Sequence, residues 1–246
     1  MITILKTNIK KFTHIIQFGD IHIKLNTRHK EYQEVFKRFY NDIKSSPEET
    51  AVICCGDIFH TKIDLQPECI QMAADLFTNI ANLRPLILVA GNHDGNLSNK
   101  HRLDSISPIV DALNHSNLFY LKKSGLYGMG NILINNMGVF DSPDKYILGK
   151  DIPKIYKNQY EYIVALYHGV VDGVSTETGY KLTNPEILPQ IFDDHHIALL
   201  GDIHFAQNIC STDDEIVVSE NDVNKYNMDL WDIIEEIETS DIEKII

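Results

Sequence analysis

Five short apolar segments of the chain each end in a motif that contains Asp, Asn or His, and four of these motifs begin with glycine. The motifs are, in order, Gly19-Asp20-Ile21-His22, Gly56-Asp57-Ile58-Phe59-His60, Gly91-Asn92-His93-Asp94, His168-Gly169 and Gly201-Asp202-Ile203-His204. Carboxylates and imidazoles without thiolates suit Mn, Fe, Zn or Ni. So many of these groups in one place would repel or desolvate one another without a cation. The pattern therefore predicts a metal site, and eight candidate positions favour two ions over one.

Each motif by itself has a plainer explanation. One Gly-Asp after a strand is usually a turn, and a lone His is more often structural than a ligand. We keep that interpretation for the remaining histidines, which are His14, His29, His101, His115, His195 and His196. The five motifs together are different, because most of them follow one another at 34 to 37 residues, the length of one strand–helix–strand unit.

The elements that would position these motifs can be predicted from hydrophobic patterning. Continuous rather than alternating apolar runs are typical of strands covered on both faces. The predicted strands are His14–Phe18, Ala51–Cys55, Pro85–Ala90, Tyr162–Tyr167 and His196–Leu200. Helical spacing predicts helices over Thr27–Lys44, Pro67–Leu83, Ser105–Asn114 and Pro185–Phe192, whereas Phe119–Phe140 is typical of antiparallel strands. This alternation predicts an α/β fold with ligands at the carboxyl ends of the strands.

The order of the motifs resembles that of the calcineurin-like metallophosphoesterases over roughly Phe12–His204, and Gly-Asn-His-Asp is its most specific element. The resemblance implies a four-layer α-β-β-α metallophosphoesterase sandwich with mixed sheets and the motif loops at the C-terminal strand ends. It also implies phosphodiester hydrolysis by a hydroxide activated at two divalent ions. Mn is the ion that we expect first, with Fe, Zn, Ni or Mg as alternatives.

The same resemblance assigns roles to individual residues. Asp20, His22 and His204 would bind one ion, Asn92, His168 and Asp202 would bind the other, and Asp57 would bridge the two. His93 would contact the phosphate and protonate the departing oxygen. The family usually has His where this chain has Asp202, a departure that adds negative charge and bears on metal preference and rate.

The second motif favours a nuclease. Ser/Thr phosphatases of the family have Gly-Asp-x-x-Asp-Arg-Gly there, whereas the motif of this chain contains no Arg and carries His60. The motif resembles that of SbcD-type double-strand-break repair nucleases, in which a His helps to position the DNA phosphate. The resemblance therefore implies a DNA repair or recombination nuclease, an exonuclease or endonuclease, with DNA as its partner. A small-molecule phosphodiesterase or phosphatase of the same superfamily, or a truncated inactive binding protein, stays open as an alternative.

The C-terminal segment departs from that group. Residues 205–246 hold 12 acidic and 2 basic residues, while residues 1–204 hold 23 and 20, so most of the net charge of −13 lies in the tail. We expect a phosphoesterase domain at 1–204 and an acidic tail at 205–246, with a predicted amphipathic helix at 228–246 and no DNA-capping domain. Without the usual docking region, an SMC-like ATPase partner is in doubt, and a homodimer stays open.

The compartment is constrained by what the sequence lacks. No apolar segment approaches the roughly 20 residues of a membrane span, and the N-terminus has no signal-peptide core. The four cysteines show no Cys-x-x-Cys pairing, which disfavours a zinc knuckle or a disulfide framework. These features predict an intracellular protein, cytoplasmic or nuclear, that is neither secreted nor bound to a membrane.

Overall fold

The computed structural model describes residues 2–25, 27–61, 64–99, 102–176, 178–184, 186–203 and 228–229. Ten strands and four α-helices are assigned within these ranges. The strands are β1 (Ile2–Ile4), β2 (His14–Gly19), β3 (Thr50–Cys54), β4 (Leu86–Leu88), β5 (Leu118–Tyr120), β6 (Gly125–Met129), β7 (Ile132–Met137), β8 (Tyr162–His168), β9 (Ile197–Gly201) and β10 (Met228–Asp229). The helices are α1 (His29–Ser45), α2 (Pro67–Leu83), α3 (Ser107–Leu113) and α4 (Lys154–Gln159).

The strands form two five-stranded sheets. One has the order β10-β2-β3-β4-β5 and is parallel throughout, whereas the other has the order β1-β6-β7-β8-β9 and is mixed, because β6 and β7 pair antiparallel. Alternate residues of β3 explain how the sheets stack. Ala51 and Ile53 contact the apolar layer between the two sheets, while Val52 and Cys54 contact the layer under α1 and α2. The predicted continuous apolar runs are therefore strands with both faces buried.

The fold is the predicted four-layer α/β sandwich. A large cluster joins the parallel sheet to α1, α2 and α3, and a smaller one covers the outer face of the mixed sheet with Ile152, Tyr156 and Tyr160. Within the described ranges, none of the helices combines the length and the apolar character that crossing a bilayer requires. The layers bring the carboxyl ends of β2, β3, β4, β8 and β9 to one side of the molecule.

Three local predictions need correction. The prediction of a helix over Pro185–Phe192 is wrong, because the described part of this segment has only a 3₁₀ turn at Pro189–Phe192. The antiparallel prediction for Phe119–Phe140 holds for β6 and β7, but β5 pairs parallel with β4. Met228–Asp229, where a helix was predicted to begin, is a short strand parallel to β2, and 230–246 lies outside the described residues.

Candidate metal centre

The motif residues lie on strand ends whose backbone is strained. Asp20, His22, Asp57 and Asp202 all adopt positive φ, at 50°, 47°, 52° and 85°. Few non-glycine residues adopt this conformation, and it costs about 1–3 kcal/mol where it occurs. Strain at four predicted ligands shows that the loops are held by their surroundings in a shape that the chain alone would not choose.

Two glycines allow the loops to come this close. A Cβ at Gly56, which has φ of 98°, would lie 2.5 Å from His168 Nδ1 and 2.7 Å from the Gly91 nitrogen. A Cβ at Gly201 would lie 2.7 Å from the same His168 nitrogen and would overlap the Cys55 carbonyl. Since no side chain fits at these two positions, the glycines let the loops after β3 and β9 pack against His168.

Asp57 lies at the centre of the site and is 1% exposed. Its Oδ1 accepts a hydrogen bond from the His93 backbone N–H at 2.8 Å and lies 3.5 Å from His168 Nε2. Its Oδ2 lies 3.6 Å from His22 Nε2. Burial opposes ionisation of Asp57, but the His168 imidazole and the His93 amide outweigh it, so the pKa of Asp57 is below its usual value. The carboxylate is therefore charged and has imidazoles on both sides.

Two groups of possible ligand atoms share this carboxylate. His22, Asp57 and His93 form one group, and Asp20, Asp57 and His168 form the other, with all ligand atoms of a group within 4.8 Å of one another. A bridging Asp57 would require two ligand groups that share its carboxylate, and the bridging role itself stays a prediction. The grouping places Asp20 beside His168 and His22 beside His93, so the assignment of Asp20 and His22 to one ion stays a prediction.

His168 has the geometry of a metal ligand. Its Nδ1 donates to the Cys55 carbonyl at 2.6 Å, which fixes the ring and aims Nε2 at the carboxylates. Nε2 is buried without a hydrogen bond, at 3.5 Å from Asp57 Oδ1 and 3.7 Å from Asp202 Oδ1. Metal-binding histidines commonly donate their second ring nitrogen to a carbonyl in this way.

The side-chain amide of Asn92 also has the features of a metal ligand. Its Oδ1 is buried without a hydrogen-bond partner, while its Nδ2 donates to Asp202 Oδ1 at 3.3 Å. A buried polar oxygen without a partner is costly unless a cation or water contacts it. Together with the carboxylates and imidazoles, this donor set fits a pair of divalent ions.

Asp202, the residue that departs from the family pattern, lies within the site. Its backbone N–H donates to both oxygens of Asp20, at 3.0 and 3.1 Å. Its own carboxylate lies beside Asn92 and His168, as given above. The predicted ligand His204 lies outside the described residues, so its position is not part of this geometry.

His93 and His60 form the outer rim. His93 Nδ1 donates to the His60 carbonyl at 2.7 Å, and the two rings stack with centroids 6.1 Å apart. His22 meets His93 edge to face at 4.9 Å between centroids. His60 is exposed, and its pKa is lowered by partial burial, by the nearby Lys24 and by His93. The rim therefore presents imidazole rings toward solvent beside the buried carboxylates.

Asp94 is a structural residue of the site to which the sequence analysis assigned no role. It is fully buried, and its carboxylate accepts from the backbone N–H groups of Ile58, Phe59 and Gly91 at 2.9, 3.2 and 2.9 Å. Burial and the nearby Asp57 charge raise the pKa of Asp94 to about 7. The signal in the sequence was a carboxylate only four residues after the end of a fully apolar segment, Pro85–Ala90, because a carboxylate in such a place needs buried donors.

Comparison with known proteins agrees with this geometry. Residues 13–206 match the calcineurin-like phosphoesterase family (Metallophos). The chain belongs to this family. Its members typically use a binuclear metal centre, and the described residues contain candidate ligands for one. The family assignment supports metal-dependent hydrolysis of phosphoric esters and does not identify the ester.

A viral protein is also similar to this phosphoesterase. The chain is 40% identical over 206 residues to "Uncharacterized protein R555" of Acanthamoeba polyphaga mimivirus. The match covers 81% of this chain and 15% of the viral protein, so the chain spans a small part of that relative. The predicted similarity to SbcD-type nucleases in particular stays a prediction.

Proposed function

We propose that this phosphoesterase hydrolyses phosphodiester bonds of DNA, as a Mn-dependent nuclease of repair or recombination. The observation that carries the proposal is His60, an exposed imidazole stacked beside His93 at the rim of the site. In the sequence, it lies at the place where the Ser/Thr phosphatases of the family have an Asp-Arg pair. A single imidazole leaves room for the two substituents of a diester and still gives one donor to a phosphate oxygen.

The metal ions would supply two things when bound: a more acidic water as nucleophile and positive charge at the phosphoryl oxygens. Asp20, His22, Asp57 and His168 would hold the ions, with the Asp57 carboxylate shared by the two groups of ligand atoms. Asn92 would contribute its buried Oδ1. Two divalent cations outweigh the carboxylates of Asp20, Asp57 and Asp202, so the loaded site attracts an anion.

His93 is placed to act as general acid. Its Nδ1 proton is committed to the His60 carbonyl, which leaves Nε2 as the nitrogen that can reach the leaving oxygen. In its protonated form the ring therefore donates from Nε2 while the His60 carbonyl holds its orientation. Positioned proton transfer of this kind typically contributes a factor of about 10²–10⁴ to the rate.

End-labelled DNA and bis(4-nitrophenyl) phosphate, each with Mn²⁺, test the proposal. We expect the wild-type protein to release nucleotides from DNA and to hydrolyse the chromogenic diester. Asp57→Asn should remove both activities and weaken Mn²⁺ binding in calorimetry, whereas His93→Ala should lower kcat by about 10²-fold or more and keep the metal. Asp42→Asn and His14→Ala are matched controls, since both residues are exposed, Asp42 lies on α1, and His14 begins β2 at the end opposite to the motif residues.

Two outcomes would contradict the proposal. Turnover of the simple diester without any cleavage of DNA would favour the small-molecule phosphodiesterase. Activity on neither substrate, in protein whose bound metal is confirmed by elemental analysis, would remove the enzymatic function and favour a binding protein.

A further inference from the structure

One polar residue interrupts the apolar run of β2. The strand reads His14-Ile15-Ile16-Gln17-Phe18-Gly19, and its side chains alternate between two layers of the sandwich. Ile16 and Phe18 pack in the layer under α1 and α2, while Ile15 packs in the apolar layer between the two sheets. Gln17 therefore points toward the same layer as Ile15, where a polar side chain is costly unless it is hydrogen-bonded.

The side-chain amide of Gln17 crosses from one sheet to the other. Its Nε2 donates to the Leu200 carbonyl of β9 at 2.7 Å. Because β2 belongs to the parallel sheet and β9 to the mixed sheet, this hydrogen bond joins the two halves of the sandwich. Gln17 and Leu200 are both half-buried, so water competes less for the bond than it would at the surface.

A second contact joins the same two strands closer to the site. The Asp202 backbone N–H donates to the Asp20 carboxylate, as described above. Asp20 follows Gln17 by three residues in the sequence. Asp202 follows Leu200 by two, so the two contacts are neighbours along β2 and β9. Of these two contacts, the Gln17 hydrogen bond is the one that uses no predicted metal ligand.

Gln17 also lies beside the residue that follows β3. Burial and the nearby Asp20 raise the pKa of the Cys55 thiol, and a contact with the Gln17 side chain opposes this rise. The backbone carbonyl of Cys55 accepts from His168 Nδ1, which orients that imidazole in the site. The Gln17 amide is therefore close to the carboxyl ends of three strands that carry predicted ligands.

We propose that Gln17 is a positioning residue for the metal centre: its hydrogen bond to β9 sets the distance between the Asp20 and Asp202 carboxylates, which follow strands of different sheets. The inference rests on the metal centre of the proposed function and deepens it, whichever ester is the substrate. Two carboxylates repel each other in the absence of a cation, and the Gln17 bond opposes the separation of β2 and β9. Residues that orient ligands typically change metal affinity by about 10–100-fold when they are replaced.

Substitutions that alter the donor of this side chain test the proposal. Gln17→Met keeps the length and removes the donor, whereas Gln17→His keeps an N–H donor at similar reach. We expect Gln17→Met to bind Mn²⁺ about tenfold or more weakly in calorimetry and Gln17→His to retain most of the wild-type affinity. Asn131→Ala is the control for a lost structural hydrogen bond, because Asn131 bonds the Phe12 backbone at the amino end of β7. It should lower the free energy of unfolding and keep the Mn²⁺ affinity.

Hydrogen exchange in the metal-free protein gives a readout that needs neither metal nor substrate. If the Gln17 bond holds β9 against β2, its loss should let the two strand ends separate more often. We expect the Asp202 amide to exchange about fivefold faster in Gln17→Met than in wild type, as measured by NMR. Gln17→His should restore the slow exchange. Gln33→Met, the same change at an exposed position of α1, should leave it as in wild type.

The outcomes separate this proposal from the function on which it rests. Wild-type Mn²⁺ affinity in Gln17→Met overturns it. If Gln17→Met does not fold, Gln17→His decides, since a folded His variant that has lost the metal shows that the donor does not position the site. A wild-type protein that binds Mn²⁺ and cleaves no phosphodiester contradicts the proposed function, while the comparison of metal affinities still decides the role of Gln17. A wild-type protein that binds no Mn²⁺ removes the metal centre and this inference with it.

Discussion

His168 combines deep burial with three carboxylate neighbours. The ring is 3% exposed, and burial alone would disfavour its charged form. The charges of Asp57, Asp20 and Asp202 outweigh burial and raise the pKa of His168 to about 9. In the metal-free protein the proton on this imidazole therefore occupies the nitrogen that a metal ion would need.

This competition predicts proton release on metal binding. At about pH 8, Mn²⁺ binding should release about one proton from His168, and metal affinity should tighten as the pH rises toward 9 and then level off. The sign follows from the raised pKa, since the folded metal-free protein holds this proton to higher pH than a free imidazole does. Calorimetry in two buffers of different ionisation enthalpy measures the release. Binding at pH 8 without proton uptake by the buffer would contradict it.

Asp94 acts at the level of the elements, because one carboxylate holds two loops. It accepts from the loop after β3 through Ile58 and Phe59, and from the loop after β4 through Gly91. Asp57 and Asn92, both predicted ligands, lie on these loops. The separation between the two loops therefore depends on a residue that contacts neither substrate nor metal in the proposed mechanism.

Replacing Asp94 should accordingly cost both stability and metal binding. Asp94→Ala leaves three buried amides without their acceptor, and we expect a loss of about 3–5 kcal/mol in the free energy of unfolding. Urea denaturation of the metal-free protein measures the loss, with Asp111→Ala on the exposed face of α3 as control. Asp94→Asn, which keeps one acceptor oxygen, should lose less. An Asp94→Ala variant as stable as the control would show that the loops do not need this carboxylate.

The turn after β3 provides a second test at this scale. Gly56 and Gly173 both have positive φ, at 98° and 84°, so Ala at either position is strained by about 1 kcal/mol. Only at Gly56 would the new Cβ also meet His168 and Gly91, whereas Gly173 has open space around it. Gly56→Ala should therefore lose Mn²⁺ binding while Gly173→Ala keeps it, as measured by calorimetry. Equal metal affinity in the two variants would refute the packing argument.

The charge of the whole molecule is divided unevenly along the chain. Residues 1–204 are nearly neutral, while 205–246 carry 12 acidic and 2 basic residues. A polyanion such as DNA is repelled by the acidic tail and attracted by a metal-loaded site. The repulsion acts through solvent and is therefore sensitive to salt.

Neutralising part of the tail should consequently strengthen DNA binding at low salt. We expect the variant Asp213→Asn, Asp214→Asn, Glu215→Gln to bind an oligonucleotide a few times more tightly than wild type in about 0.05 M salt. The difference should vanish near 1 M salt, where the Debye length is about 3 Å. Anisotropy titrations at several salt concentrations measure both. A gain that persists at high salt would indicate a specific contact instead of repulsion.

The strands and long helices of the sandwich were predictable because their apolar spacing is local. Strands β2, β3, β4, β8 and β9 and helices α1 and α2 lie within a few residues of their predicted bounds. The short elements were less predictable. The segment Pro185–Phe192 is too short for helical spacing of apolar residues to predict a helix. A short helix also has too few internal hydrogen bonds to offset the cost of nucleation. Strand β5 was given the wrong orientation because pairing direction depends on partners distant in sequence.

The sequence alone determined which residue types end the strands, and hence that carboxylates and imidazoles would meet at one edge of an α/β fold. Only the tertiary structure decided that Asp57 is shared by two groups of ligand atoms, that Asp94 ties two loops together, and that Ile23 pairs with Phe59. The reason is physical. Strand periodicity is written in neighbouring residues, whereas these contacts join positions more than 30 residues apart through the register of separate strands.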